Sequence, residues 1–217
     1  MTNENKNKNC VIVAASPECC FDGKIPAESL VIAADGGYKY VAAAGIVPDV
    51  LIGDFDSLGQ RAQTDIEVIA LEREKDDTDT MAAAREGLKR GCKEFHIYGA
   101  LGGRMDHAYA NFQVLAFVAE KGARGFLYGD GYAVTCIKNG EIAFDENRSG
   151  TISVLSYSDV SRGVNIEGLK YPLCNAELSN TFPLGASNEF IGQKSVISVE
   201  DGTLLIIYNK QNSSEIE

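Results

Sequence analysis

Asp54 and Asp56 flank Phe55 directly after the apolar run Val50-Leu51-Ile52. Successive side chains of a strand point to opposite faces, but where the backbone turns at a strand end an Asp-x-Asp pair can converge on one cation. Two carboxylates ~5 Å apart repel by about 3 kcal/mol at an effective dielectric of about 20. A hard cation such as Mg²⁺ removes that cost, and Mg²⁺ usually accompanies a phosphate-bearing substrate.

Three further groups share this character. Asp35-Gly36-Gly37 follows the apolar run Leu30–Ala34, and its glycines allow close backbone approach to a ligand. Lys75-Asp76-Asp77-Thr78-Asp79 precedes a helical pattern. Gly102-Gly103-Arg104-Met105-Asp106-His107 lies between a strand pattern and the longest helical one. Each has a plainer reading. Asp77 or Thr78 can be a helix N-cap, and so can Asp106. Asp35-Gly36-Gly37 can be a turn. Arg104 can be a solvated charge and His107 a structural residue. Their conjunction argues for more, because loops at the carboxyl ends of parallel strands share one edge of a sheet, where ligands bind. Carboxylates meet phosphates through a cation, whereas Arg grips them directly in a two-pronged fashion. Asp35, Asp54, Asp56, Asp79, Arg104 and Asp106 together suit phosphoryl transfer, which is mostly positioning and charge neutralisation. The chain has neither a G-x-x-x-x-G-K-[ST] phosphate loop nor a kinase glycine loop.

The elements that must position these residues follow an α/β pattern. Strands are expected at Cys10–Ala15, Leu30–Ala34, Val50–Ile52, Glu67–Leu71, Glu94–Tyr98 and Gly125–Tyr128. Most are continuous apolar runs, as for strands covered on both faces. Helices are expected at Tyr38–Ala44, Thr80–Arg90 and Asp106–Lys121, each followed by a glycine (Gly45, Gly91, Gly122) where a helix stop belongs. From about Ala133 the helical period disappears. Short β-rich runs follow at Ala133–Ile137, Thr151–Ser156, Val164–Ile166, Ala176–Phe182, Ser195–Val199 and Thr203–Tyr208. The pattern predicts a Rossmann-like parallel-sheet domain over residues 1–135 and an antiparallel β-sandwich over 136–217.

Composition narrows the partners. The 217 residues carry a net charge of −11, which argues against a nucleic-acid partner. No run approaches the roughly 18 apolar residues of a membrane span. The start, Met1 to Asn9, reads as a frayed tail rather than a signal peptide, so a cytoplasmic location with free thiols is expected. The six cysteines contain no C-x-x-C pair, and there are only two histidines, so a zinc site is not expected.

The ordered set Ala33-Ala34-Asp35-Gly36-Gly37, Pro48-Asp49-x-x-Ile52-Gly53-Asp54-Phe55-Asp56-Ser57, Lys75–Asp79 and Gly102–His107 resembles the thiamine pyrophosphokinase family. Leu169–Leu173 and Ser187-Asn188-Glu189-Phe190 extend the resemblance towards the end of the chain. It implies transfer of pyrophosphate from ATP to the hydroxyl of thiamine, with release of AMP, in a homodimer. By the same resemblance Asp54, Asp56 and Asp79 hold Mg²⁺. Asp35, Gly36, Gly37, Asp76, Asp77 and Thr78 serve the metal–nucleotide site. Arg104 and Asp106 position phosphates and thiamine, and Ser187 and Asn188 line the thiamine pocket. Animal members stack thiamine on a Trp, which this chain lacks. Phe190, Tyr171 and Phe182 are the candidate substitutes, each with core or turn packing as the plainer role.

Overall fold

A computed structural model describes residues 9–53, 66–71 and 77–210. Asp54, Phe55, Asp56, Lys75 and Asp76 therefore lie outside the described residues. The chain divides into two units, one holding the described residues up to Val114 with Gly125–Asp130, the other Leu115–Arg124 and Gly131 onward.

In the first unit the apolar runs become β1 (Asn9–Val13), β2 (Ser29–Ala34), β3 (Val50–Gly53), β4 (Glu67–Ala70), β5 (Glu94–Tyr98) and β6 (Arg124–Tyr128). Their order in the sheet is β6-β5-β1-β2-β3-β4. Strand β1 lies parallel between β2 and β5, and β2, β3 and β4 continue in parallel. Val11, Ile12, Ile32, Leu51, Phe95 and Ile97 are buried, as expected of strands covered on both faces. The outermost strand, β4, is largely exposed, and its Glu67 pairs with Arg90 at 2.6 Å.

Three helices follow the expected pattern: α1 (Tyr38–Ala43), α2 (Asp79–Lys89) and α3 (Met105–Glu120). All three stop in the same way. Gly45, Gly91 and Gly122 have positive φ (73°, 85° and 70°). Each donates to the carbonyl three residues back, and its successor reaches five residues back, as in Cys92 N to Gly87 O at 3.0 Å. That pair of bonds takes up carbonyls that the helix end leaves open. Of the two possible caps of α2 it is Thr78, whose Oγ1 accepts from Met81 N at 3.2 Å. Asp77 instead pairs with Arg85 at 2.9 Å. Asp106 is not the cap of α3. The first helical bond runs from Ala108 N to the Arg104 carbonyl, so the cap position falls on Arg104 and Asp106 lies inside the first turn.

The second unit contains two sheets, β12-β9-β14-β7 and β11-β10-β13-β8. Their strands are β7 (Tyr132–Lys138), β8 (Glu141–Phe144), β9 (Thr151–Ser156), β10 (Val160–Glu167), β11 (Leu173–Ser179), β12 (Asn188–Glu189), β13 (Ser195–Ser198) and β14 (Thr203–Asn209). Every pairing recorded among them is antiparallel. Phe144 of β8 meets Phe190 and Tyr208 edge-on at 5.4 and 5.0 Å, joining the two sheets in an aromatic core. Strands β8 and β12 were not expected, and β10 starts earlier than expected, with Gly163 at φ 62° in an irregular stretch of its pairing. Among the described residues no helix is long and apolar enough to cross a membrane.

Cysteines are placed at graded depth. Cys10 and Cys136 are buried in β1 and β7, whereas Cys174 on β11 is exposed. Burial pushes the Cys136 thiol up to about 12 and the Cys10 thiol well above its ordinary value.

Helix α2 rests on the sheet through Gly87. A Cβ there would stand 2.5 Å from the Phe95 ring and 2.9 Å from the Cys10 sulfur. Alanine is the better helix former by about 1 kcal/mol, but overpacking a core costs about 1–3 kcal/mol. Gly87→Ala is expected to lower unfolding stability, by up to about 2 kcal/mol, read as a fall in urea midpoint at unchanged m-value. A variant as stable as the parent would show that the Phe95 contact yields.

Candidate active site

Strand β1 ends in two carbonyls, Val13 and Ala14, that two glycines approach closely. A Cβ on Gly37 would overlap the Val13 carbonyl oxygen, and one on Gly99 would overlap that of Ala14. Gly37 closes a 3₁₀ turn, Asp35–Gly37, that runs straight into α1. The turn opens with Asp35 in the left-handed region at φ 47°, a strained conformation for a residue with a Cβ. Gly53, at the end of β3, lies against it, with its Cβ position 3.1 Å from the Asp35 Cα.

The loop after β1 is tied to the loop after β5. Ser16 N donates to Gly99 O at 2.9 Å, and Ser16 Oγ donates to Leu101 O at 2.7 Å. Tyr40 Oη of α1 donates to Ser16 O at 2.8 Å. Asn111 of α3 donates from Nδ2 to Ala100 O at 2.6 Å. Gly99, Gly102 and Gly103 all take positive φ, which shapes the turn that delivers Arg104.

These strand ends enclose a cavity of about 300 Å³, lined in part by Asp35, Thr78, Asp79, Arg104, His107 and Asn111. Ala14, Ala15, Pro17 and Ala34 supply apolar wall. Of the residues singled out in the sequence, Asp35, Thr78, Asp79 and Arg104 thus reach one cavity. Gly36, Gly37, Asp77 and Asp106 are not part of its wall. His107 and Asn111, four residues apart, lie on one side of α3, and Arg104 stands at its cap. Sequence reasoning passed over Ser16 and Asn111 and left His107 as structural.

The rim carries a charged fork. Arg104 Nε and Nη2 donate to Asp106 Oδ1 and Oδ2 at 3.1 and 2.5 Å, both side chains being exposed. The guanidinium holds the Asp106 carboxyl down at about 2, helped by the His107 N–H.

In the second unit, Ser187 takes φ 58° and its N donates to Ser153 Oγ at 3.1 Å. Asn188 is buried, and its amide is taken up by backbone. Its Oδ1 accepts from Tyr171 N and Glu189 N, both at 2.9 Å, and its Nδ2 donates to Tyr171 O at 2.7 Å. The candidate aromatics separate. Phe190 belongs to the aromatic core, while Tyr171 and Phe182 are 57% and 65% exposed.

Comparison with known proteins adds a second line of observation. The family described as thiamin pyrophosphokinase, catalytic domain, matches residues 21–127, and the vitamin B1 binding domain of thiamin pyrophosphokinase matches residues 140–204. Thiamine pyrophosphokinase of Bacillus subtilis (strain 168) is 30% identical over 210 residues, covering 92% of this chain and 98% of its own. A crystal structure of the Bacillus subtilis thiamine pyrophosphokinase superposes with a TM-score of 0.85 at 28% identity, over 94% of this chain and 100% of that one. That of Geobacillus thermodenitrificans thiamin pyrophosphokinase gives 0.82 at 27%, over 94% and 99%.

Arg104→Gln removes the cation that holds Asp106. A carboxyl NMR titration is expected to place Asp106 at about 2 in the parent chain and higher in the variant, shifted towards the ordinary 3.8 but still lowered by the His107 N–H. Since the folded value is depressed, any stability from the pair is fully present above the ordinary carboxylate range and is lost as pH falls through about 2. An unmoved titration in Arg104→Gln would show that the fork does not form in solution.

Proposed function

The chain belongs to the thiamin pyrophosphokinase family, and on that premise we propose that it transfers pyrophosphate from ATP to the hydroxyl of thiamine in the crevice at the end of β1. One observation carries the placement: Asp35, Thr78, Asp79 and Arg104, from three separate segments, line a single cavity. The thiamine oxygen attacks the β-phosphorus in line, and AMP leaves with the bridging oxygen. Arg104 grips phosphate oxygens with its planar fork. An aspartate of the cluster accepts the hydroxyl proton, and the apolar wall of Ala14, Ala15 and Pro17 keeps competing water from that part of the crevice.

Mg²⁺ is part of this reading. Its proposed holders are Asp54, Asp56 and Asp79, supported by Asp35. The donor set fits, because all are hard carboxylate oxygens and two of the acids, Asp35 and Asp79, stand on the cavity wall. When bound, the ion neutralises charge on the phosphates as the bridging bond breaks. Gly36, Gly37, Asp76, Asp77 and Thr78 belong to the nucleotide end as the residues that shape or flank it. Thr78 caps α2 and so fixes the direction in which Asp79 leaves the helix.

The thiamine end is assigned to Asp106, Ser187 and Asn188, with Asn188 acting through the Tyr171 segment that it holds. We assign catalysis to residues 1–135, and thiamine binding with homodimer formation to residues 136–217. The net charge of −11 suits the cationic ring of thiamine. A cytoplasmic setting, where ATP and Mg²⁺ are at hand, completes the proposal.

Pure protein with ATP, thiamine and Mg²⁺ is expected to release AMP and thiamine diphosphate in equal amounts, and chelation is expected to stop it. Asp79→Asn and Asp54→Asn are each expected to lower turnover about a hundredfold or more while leaving the unfolding curve unchanged. Near-normal AMP release from either variant would overturn its metal assignment, and no AMP from the parent chain would overturn the reaction.

A further inference from the structure

Asn111 is 5% exposed, yet it lines the cavity. Its orientation is determined by a neighbour. The Ala100 carbonyl can only accept, so the amide nitrogen must face it, as it does at 2.6 Å. The amide oxygen is then turned away from Ala100. No hydrogen bond from the described residues engages this oxygen, nor is it among the buried polar atoms sealed off without a partner. It is therefore a fixed acceptor, open to the crevice, on a side chain that is otherwise buried.

An acceptor in that place selects for a donor. Phosphate oxygens at neutral pH carry few hydrogens and are repelled by it, so the phosphate chain belongs elsewhere, towards Arg104 and the acids. The nearby wall of Ala14, Ala15, Pro17 and Ala34 is apolar and suits a flat ring. A heteroaromatic ring bearing an exocyclic amino group meets both demands. Both substrates of the reaction proposed above carry one: the adenine of ATP and the aminopyrimidine of thiamine.

We infer that Asn111 is a specificity-determining residue whose Oδ1 accepts a hydrogen bond from the exocyclic amino group of a substrate ring. Nδ2 keeps the oxygen aimed by holding Ala100, so the same side chain fixes the Gly99–Gly103 turn and reads the ring. This inference rests on the proposed reaction for its choice of rings, but not for the acceptor itself. Removing the amino group from the correct substrate leaves a buried acceptor unpaired, which corresponds to about a tenfold to hundredfold loss.

The test compares each substrate with its deamino form. ATP is set against purine riboside triphosphate, and thiamine against the analogue with hydrogen in place of its amino group. Thiamine diphosphate formation is followed in the first pair and AMP in the second. In the parent chain, kcat/KM is expected to favour the amino form about tenfold to a hundredfold in one pair, and that pair identifies the ring. In Asn111→Ala the preference is expected to fall to about threefold or less. Such a ratio cancels any general loss of activity, which a purely structural role would produce equally with both forms. Asn111→Ser, which can still donate to Ala100, provides a second arm should the alanine variant not fold. A parent chain with no preference in either pair, or a preference that survives in a folded variant, overturns the inference. Should the parent chain make no product, the reaction fails as a separate matter. Calorimetric affinities for adenosine against purine riboside, and for thiamine against its deamino form, then decide Asn111 by the same ratios.

Discussion

No side chain can stand beside the last carbonyls of β1. That steric constraint organises the first unit, because the two segments that come up against Val13 and Ala14 do so through Gly37 and Gly99. Backbone then meets backbone where a side chain would have held the loops apart. The Asp35 turn on one side and the Arg104 turn on the other are drawn to the same strand end. A cavity remains between them. Its acids and its arginine come from segments far apart in sequence: Asp35 directly follows the buried strand β2, Asp79 opens α2, and Arg104 ends the turn after β5.

Hydrogen bonds then fix what sterics bring together. Ser16 joins the β1 loop to the β5 loop through both its backbone and its hydroxyl, and Tyr40 secures Ser16 from α1. Loops are ordinarily the mobile part of an α/β protein. Here side chains from α1 and α3 hold two of them. Such support is what a site relying on position and charge requires, since a misplacement of about 1 Å can cost about a hundredfold in rate.

Much of this was legible in sequence because the signals were local. Gly45, Gly91 and Gly122 end their helices where the glycines fall, since the left-handed stop depends on a few neighbouring residues. Most strands of the first unit announce themselves as apolar runs. Strand β8 did not, because Glu141–Phe144 buries little but its last residue and carries no alternation to read. Strand β12 has only two residues, and its pairing to β9 is a tertiary fact. The opening of β10 was hidden behind Gly163, which interrupts the strand period. Among site residues, the acids and Arg104 stood out by charge. Asn111 did not, since a single amide within a helical pattern looks like any half-buried polar residue until Ala100 is seen beside it. Ser16 likewise reads as part of an Ala-Ser-Pro turn. Asp54 and Asp56, the strongest chemical signal in the sequence, lie outside the described residues, so their convergence rests on spacing alone.

The graded burial of the cysteines sets an order of thiol reactivity. Nucleophilic attack on an oxidant or alkylating agent requires thiolate and access. Cys136 and Cys10 are short of both, being buried with their proton affinity raised. Cys174 sits exposed on β11. Of these three thiols Cys174 is the one that reagents reach, so among them oxidation would begin there, as a sulfenic acid or a crosslink between molecules, while Cys10 in the sheet under the crevice is shielded. With the half-buried Cys19 and Cys20 removed, Cys174 would serve as an attachment point for a fluorophore or a surface tether.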